Sequence, residues 1–413
     1  MFSKLLGVSS MRGLGAACTF LLSLLIGRLL DVDDAGRVLW AIAATSLLAI
    51  FARGGLDKAF MKMGAIASRH APARDAAGAV IRQYAWKIAC ASVVLGCLLV
   101  VYGTLFDARL GWQHHTLPLI ISAASIAGIA LTNMSGMAAI GSGETLRGTL
   151  AISVLPSLTA VLALLVTIYL LGLKASLFLI LAACAAGWLL AACVCLMASR
   201  RITEFPEARD LRISSGESRQ FSLIGISNTL EQWLPTLVAG VALTTADAAG
   251  FALSARLVAI VQLLMVSATS IYARPYATTE LAGLRNAATN ASLHLAVLGL
   301  PAIAILFIFA PQALSIFGAE YAESAHLLRI LLVGQAANVL MGTFSVALIM
   351  HDRVGMVSRI FMASSVVQIS IALLATALGS SQLLAWSSVA AVLVHTGFCT
   401  IALFNVTRRA RTS

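Results

Sequence analysis

The sequence predicts an all-α integral membrane protein of about twelve transmembrane helices. These form two six-helix lobes related by a pseudo-two-fold axis along the membrane normal. Three observations carry this prediction. First, hydrophobic residues make up 60% of the 413 residues and charged residues only 11%, where a soluble domain carries roughly 25% charged residues. Second, the charges cluster, leaving charge-free runs at 110–143, 148–173, 175–199, 286–319, 330–351 and 360–407. A bilayer-spanning helix needs about 20 apolar residues, and each run supplies them. Third, the string Asp33-Asp34-Ala35-Gly36-Arg37-Val38-Leu39-Trp40-Ala41 recurs in part 214 positions later as Asp247-Ala248-Ala249-Gly250-Phe251-Ala252-Leu253-Ser254-Ala255. Each copy follows one apolar span and opens the next, the signature of a duplicated membrane bundle.

The predicted spans are 13–30, 38–56, 82–104, 116–138, 149–171, 175–198, 221–244, 251–273, 288–310, 326–349, 356–378 and 383–405. Helices are required because barrel strands alternate in polarity and run only about 9–11 residues. The run 360–407 holds two spans, split at Gly379-Ser380-Ser381-Gln382. Lys4 and Arg12 precede the first stretch, which is long for a signal-peptide core and lacks a small-x-small cleavage pattern. It is expected to be a retained span.

The net charge of +11 raises a nucleic-acid reading, which its distribution opposes. Counted on alternate sides of the spans, Lys and Arg divide 22 to 6. That is the positive-inside pattern of a multi-pass membrane protein with both termini cytoplasmic. The basic loops at 53–87 and 200–219 are expected to set topology and touch anionic lipid. Residues 200–220, with Pro206, Gly216 and mixed charges, form the expected cytoplasmic linker between an N-terminal lobe (1–199) and a C-terminal lobe (221–413). Six spans on each side of it make the halves parallel repeats. All seven cysteines fall in apolar spans, and no spacing matches a zinc or redox motif. They are expected to be small packing residues.

Ionisable and strongly polar residues at bilayer depth are costly unless paired or hydrated, so they are the candidate site residues. In the seventh span Asn228, Glu231, Gln232 and Pro235 share a helical face, and Pro235 frees a backbone carbonyl near Glu231. Such a stripe suits sugar hydroxyls, a proton or a cation; it also suits helix packing. Arg256, about five residues inside the eighth span, shares a face with Ser267 and Arg274. Its guanidinium fits a phosphate or diphosphate, or it snorkels to the interface. Arg53 and Asp57, closing the second span with Lys58, are four apart and expected to pair on one helical face, as a headgroup gate or as a topology anchor. Gln335, Asn338, Gly342 and Ser345 share a face of the tenth span, for substrate contact or helix association. Ion coupling falls to Glu231, with Asp57 second. Gln262, Gln368 and His395 are read as isolated packing residues, His114-His115 as a solvated pair, and Glu144 and Arg147 as parts of a tight cytoplasmic turn. Nothing resembles a Walker loop, a metal-ligand cluster or a nucleophile triad, so neither cofactor nor enzymatic activity is expected.

Three segments carry a family resemblance. Gly27-Arg28-Leu29-Leu30 with the following Asp34-Ala35-Gly36 resembles the first-loop signature of polysaccharide and O-antigen flippases. Gly55-Leu56-Asp57-Lys58-Ala59 is similar to that family's Gly-Leu-Asp segment. Phe317-Gly318-Ala319-Glu320-Tyr321-Ala322, followed by Leu327-Leu328-Arg329-Ile330-Leu331, resembles its motif before the tenth span. The family belongs to a superfamily that also holds multidrug-and-toxin extruders and murein-precursor flippases. The resemblance implies a two-lobed transporter that exports a lipid-linked glycan by alternating access. Its implied partners are membrane lipids and a glycan polymerase or glycosyltransferases, with no nucleic acid. Ala255-Arg256-Leu257 resembles murein-precursor flippases, where an arginine on this helix matters for transport. Those proteins also carry arginines inside the first span, and 21–26 here holds no charge, which weighs against murein precursors as substrate. The rival readings are a multidrug or organic-cation antiporter of the same fold, a surface-polysaccharide ligase or polymerase, and a non-transporting scaffold for glycan assembly. The ligase would require a large periplasmic loop that the chain lacks.

Overall fold

The computed structural model describes residues 2–68, 73–105, 111–199 and 215–412. The chain divides into two compact units, Met1–Thr229 and Leu230–Ser413. Among the described residues, eleven helices are long and apolar enough to cross a bilayer. The remaining predicted span is a 28-residue helix too polar for that class, as described below. With it the spans number six and six.

The first unit contains α1 (Phe2–Leu29), α2 (Val32–Ala52), α3 (Asp57–Ala67), α4 (Ala73–Leu105) and α5 (Thr116–Gly141). The fifth span is a broken helix: α6 (Thr145–Thr149), a π turn at Leu150–Val154, α7 (Leu155–Leu165) and a second π turn at Val166–Leu170. Then comes α8 (Leu177–Ser199). The central helix is α5, which packs on α2, α3, α4 and α8. Lipid tails give no hydrophobic drive between helices, so small residues that let backbones approach hold such bundles together. Gly64 of α3 lies against the Ala138 carbonyl, and Gly141 of α5 lies against the Met61 carbonyl. Thr19 and Ser157 join α1 to α7 by a 2.9 Å hydroxyl contact.

The α3 helix corrects the expected second span. Here α2 starts at Val32 and stops at Ala52, and Arg53 caps it. Two left-handed residues, Gly54 and Gly55 with φ of 62° and 67°, then turn the chain into α3. Left-handed backbone is open to glycine without steric cost. Ala59, Phe60, Met63 and Ala67 bury one face of α3, at the spacing of an amphipathic helix. Of the expected linker, 200–214 lie outside the described residues, and from Ser215 onward the chain is already helical.

The helix that begins there is α9 (Ser215–Ala242), inside which the division between the units falls. The second unit continues with α10 (Thr245–Thr278), α11 (Leu284–Ile308), α12 (Ala310–Ser315), α13 (Ala325–Met341), α14 (Thr343–Met350), α15 (Val354–Leu378) and α16 (Ser381–Thr412). α13 and α14 are one expected span broken at Gly342. The packing hub is α16, against α13, α14 and α15.

Both copies of the repeated string take the same structural role. Asp31 caps α2 by accepting from the Asp34 N–H at 2.8 Å, and Thr244 caps α10 by accepting from the Asp247 N–H at 3.2 Å. The matched Ala35, Leu39, Ala249 and Leu253 are all buried. Gly250 has a particular reason to be glycine: a Cβ there would collide with the Ser324 hydroxyl. Ser324 ends the 3-10 turn Ala319–Ser324 formed by the Gly318-Ala319-Glu320-Tyr321 segment.

Candidate functional site

The least apolar membrane helix holds the richest polar centre. Proline has no N–H to donate four residues back, so Pro235 in α9 orphans the carbonyl of Glu231 itself. Gln368 of α15 answers it, donating Nε2–H to Glu231 O at 3.2 Å. Gln368 is fully buried. On the side-chain end, His395 of α16 places Nδ1 3.1 Å from Glu231 Oε2, with side-chain exposures of 8% and 20%. That approach is too oblique for a regular hydrogen bond. Phe361 of α15 stacks on the imidazole, with centroids 4.8 Å apart and planes 19° apart. Gln368 of α15 and His395 of α16 therefore converge on Glu231, with Phe361 stacked behind the imidazole. An adjoining carboxylate and imidazole that share one proton are net neutral, whichever group holds it. Neutrality is what a low-dielectric interior favours.

Replacing Gln368 by Leu leaves the Glu231 carbonyl without a donor. Thermal unfolding of the purified variant should show a loss of about 1–3 kcal/mol. An unchanged midpoint would mean water or a helix rearrangement satisfies that carbonyl.

Arg256 lies deeper than its expected place near a helix end. It stands eleven residues from the start of α10, about 16 Å along the axis, in an apolar core about 30 Å thick. Glu231 lies eleven residues from the facing end of α9, so both charges occupy one level. The Arg256 guanidinium covers the ring of Trp233, with Cζ 4.8 Å from the centroid, a cation–π contact that holds the charge in place.

The other predicted residues divide. Asn228 and Gln232 are exposed while Pro235, on the same side of α9, is buried. Gln335 is buried, and its Oε1 accepts from Asn338 Nδ2 at 3.4 Å; this pair lies within α13. Arg53 and Asp57 do pair, but across the glycine turn rather than along one helix. Arg53 Nε donates to Oδ1 at 2.6 Å and Nη2 to Oδ2 at 3.1 Å. Both carboxylate oxygens are engaged by this fork. Beside them, burial pushes the Lys58 ammonium below its ordinary value. The side chains of Ser267 and Arg274 lie outside the described residues.

His395, Gln368 and Trp233 were not singled out as site residues by the sequence. His395 and Gln368 both lie in the charge-free run 360–407, where a histidine and a glutamine are costly. That cost was the available signal. Among the described residues no cluster of three or more His, Cys, Asp or Glu is placed to hold a metal ion.

This architecture is that of known membrane transporters. The chain is similar to an inward-facing multidrug resistance MATE family transporter of the MOP superfamily, with a TM-score of 0.68 and 17% identity over 97% of this chain and 96% of that one. It is also similar to a MOP superfamily transporter from Pyrococcus furiosus, with a TM-score of 0.57 and 17% identity over 98% and 97%. A third similar structure is the lipid II flippase MurJ in its inward closed conformation, with a TM-score of 0.62 and 11% identity over 96% and 87%. At these identities the likeness shows the fold alone, a twelve-helix two-lobed membrane bundle. No protein-family model and no curated protein sequence matches the chain.

Proposed function

We propose that the protein is a flippase that moves a lipid-linked oligosaccharide, a polysaccharide precursor, across the bacterial inner membrane by alternating access. The observation that carries this reading is Arg256, a cation three turns inside α10 and held against Trp233. Such a group is kept in an apolar setting for an anionic partner, and a guanidinium is shaped for a phosphate or diphosphate. Exposed Asn228 and Gln232 offer donors and acceptors to sugar hydroxyls. The Glu231–His395 pair couples transport to a proton. The sequence motifs shared with polysaccharide flippases and the fold shared with a lipid II flippase support the same reading.

A second reading, a multidrug or organic-cation antiporter, has its own support. Glu231 is an acid beside the His395 imidazole, on which Phe361 stacks, and MATE transporters share the fold. Reconstitution separates the two. Proteoliposomes carrying the flippase move a fluorescent lipid-linked oligosaccharide between leaflets. Arg256→Ala lowers the apparent affinity about tenfold to a hundredfold, the worth of a charge-assisted hydrogen bond. Proton-driven organic-cation efflux without lipid movement would install the antiporter reading instead.

A further inference from the structure

A second feature lies on the outer face of the second unit, where α15 and α16 form a hairpin. Arg359 of α15 is the last charged residue before the charge-free run 360–407. It is exposed. It lies two residues from Phe361, which puts it on the opposite side of α15 from the imidazole stack. Met362, Val366 and Leu373 share its side at offsets of three, seven and fourteen. All three are exposed, Val366 by 62% and Leu373 by 65%. One guanidinium therefore heads a bare apolar stripe. Leu378 ends α15 nineteen residues beyond Arg359, about 28 Å at the helical rise and close to the roughly 30 Å of a hydrocarbon core. Arg359 thus stands where that core meets headgroups.

The guanidinium is held but not neutralised. Its Nε donates to Gly355 O at 3.1 Å, so it lies over the preceding turn of its own helix. Among the described residues Arg359 has no ion-pair partner. Both Nη groups remain for an anion, and phosphate oxygens take such a fork in pairs. At the same level α16 carries a gap. Phe361 stacks on His395, so in this antiparallel hairpin Arg359 and Gly397, each two residues further on, lie level with one another. A Cβ at Gly397 would meet no neighbouring helix or side chain within 4 Å. Leu393 and Ile401, four residues to either side, are exposed. The result is a notch one side chain deep on the outer surface of α16.

We infer that this surface binds an anionic glycerophospholipid, with its phosphate on Arg359, its glycerol at the Gly397 notch and one chain along Met362, Val366 and Leu373. The site needs no enclosed cavity, because its groups face the bilayer. It belongs to the second unit alone and does not depend on the transported substrate. One basic residue at the membrane surface favours an anionic headgroup about fivefold.

Photo-crosslinking in nanodiscs tests this. The discs hold the full-length protein in equal parts of phosphatidylglycerol and phosphatidylcholine, with a trace of one or the other carrying a diazirine in its chain. Adducts are mapped to residues by peptide mass spectrometry. At Met362 and Val366 the phosphatidylglycerol adducts should exceed the phosphatidylcholine adducts about fivefold, relative to the exposed Val297 and Leu298 of α11. Arg359→Gln should abolish that excess. Arg359→Lys keeps the charge without the fork and should retain part of it. Gly397→Leu fills the notch and should lower the adducts of both lipids severalfold at Met362. Only variants as monodisperse as the parent are compared, so loss of fold is separated from loss of binding. An excess unchanged by Arg359→Gln, or absent from the parent, would overturn the assignment. So would loss of the excess when inorganic phosphate replaces chloride at matched ionic strength, which would make Arg359 a site for free anions.

Discussion

Replacing Glu231 by Gln should uncouple transport. In proteoliposomes a one-unit pH gradient supplies about 1.4 kcal/mol per proton, which sustains about a tenfold accumulation ratio. The variant should lose this accumulation and equilibrate its substrate at a ratio of one. Substitution by glutamine keeps the size of the side chain and its acceptor oxygen toward His395. It leaves the Gln368 bond untouched, because that bond uses the backbone carbonyl of residue 231. Folding is therefore retained while the titrating group is removed. His395→Gln is the companion variant: accumulation that survives it means that Glu231 carries the proton alone. Accumulation that survives Glu231→Gln rejects the coupling role altogether.

The largest effect on folding should come from Gly141→Val. A Cβ at this position would overlap the Met61 backbone carbonyl, and Gly64 is similarly pressed on the Ala138 carbonyl. Two backbones in contact cannot yield as a flexible side chain would. Overpacking of this kind costs about 3 kcal/mol, at the upper end of the usual range. α3 and α5 would separate, and with them the hub of the first unit. Fluorescence-detected size exclusion should show the variant aggregated or absent beside a monodisperse parent. Gly143→Ala is the control, since a Cβ there meets nothing within 4 Å; its left-handed φ of 101° costs less than the α3–α5 collision. A monodisperse Gly141→Val protein would show that these helices do not need their close approach.

The sequence made the long helices legible because their signal is local. A charge-free run of bilayer length has few other uses, and the caps at Asp31 and Thr244 sit where the repeat begins. The short α3 escaped this reading. Its eleven residues hold Asp57, Lys58 and Lys62, so it is too brief and too charged to register as a span, and Arg53 and Asp57 were placed on one helix. The site divides in the same way. Glu231 and Arg256 stood out because a charge in an apolar run is conspicuous wherever its partner lies. The place of Arg256 along its helix did not, because the start of α10 was set six residues late. The partners of Glu231 come from helices far along the chain, Gln368 being 137 residues away. Each of those residues looks solitary in its own span. Only tertiary packing turns two solitary polar residues into neighbours of one acid.

The proline in α9 has a mechanical consequence. An uninterrupted helix is stiff through its own ladder of hydrogen bonds. At Glu231 one rung of that ladder is missing, and the substitute is a side-chain amide belonging to α15. The rigidity of α9 at this level is therefore shared property: it persists only while α15 stays in register beside it. Any sliding of one helix past the other would break the rung, soften the α9 backbone at the charged residue, and shift its carboxylate relative to the imidazole on α16.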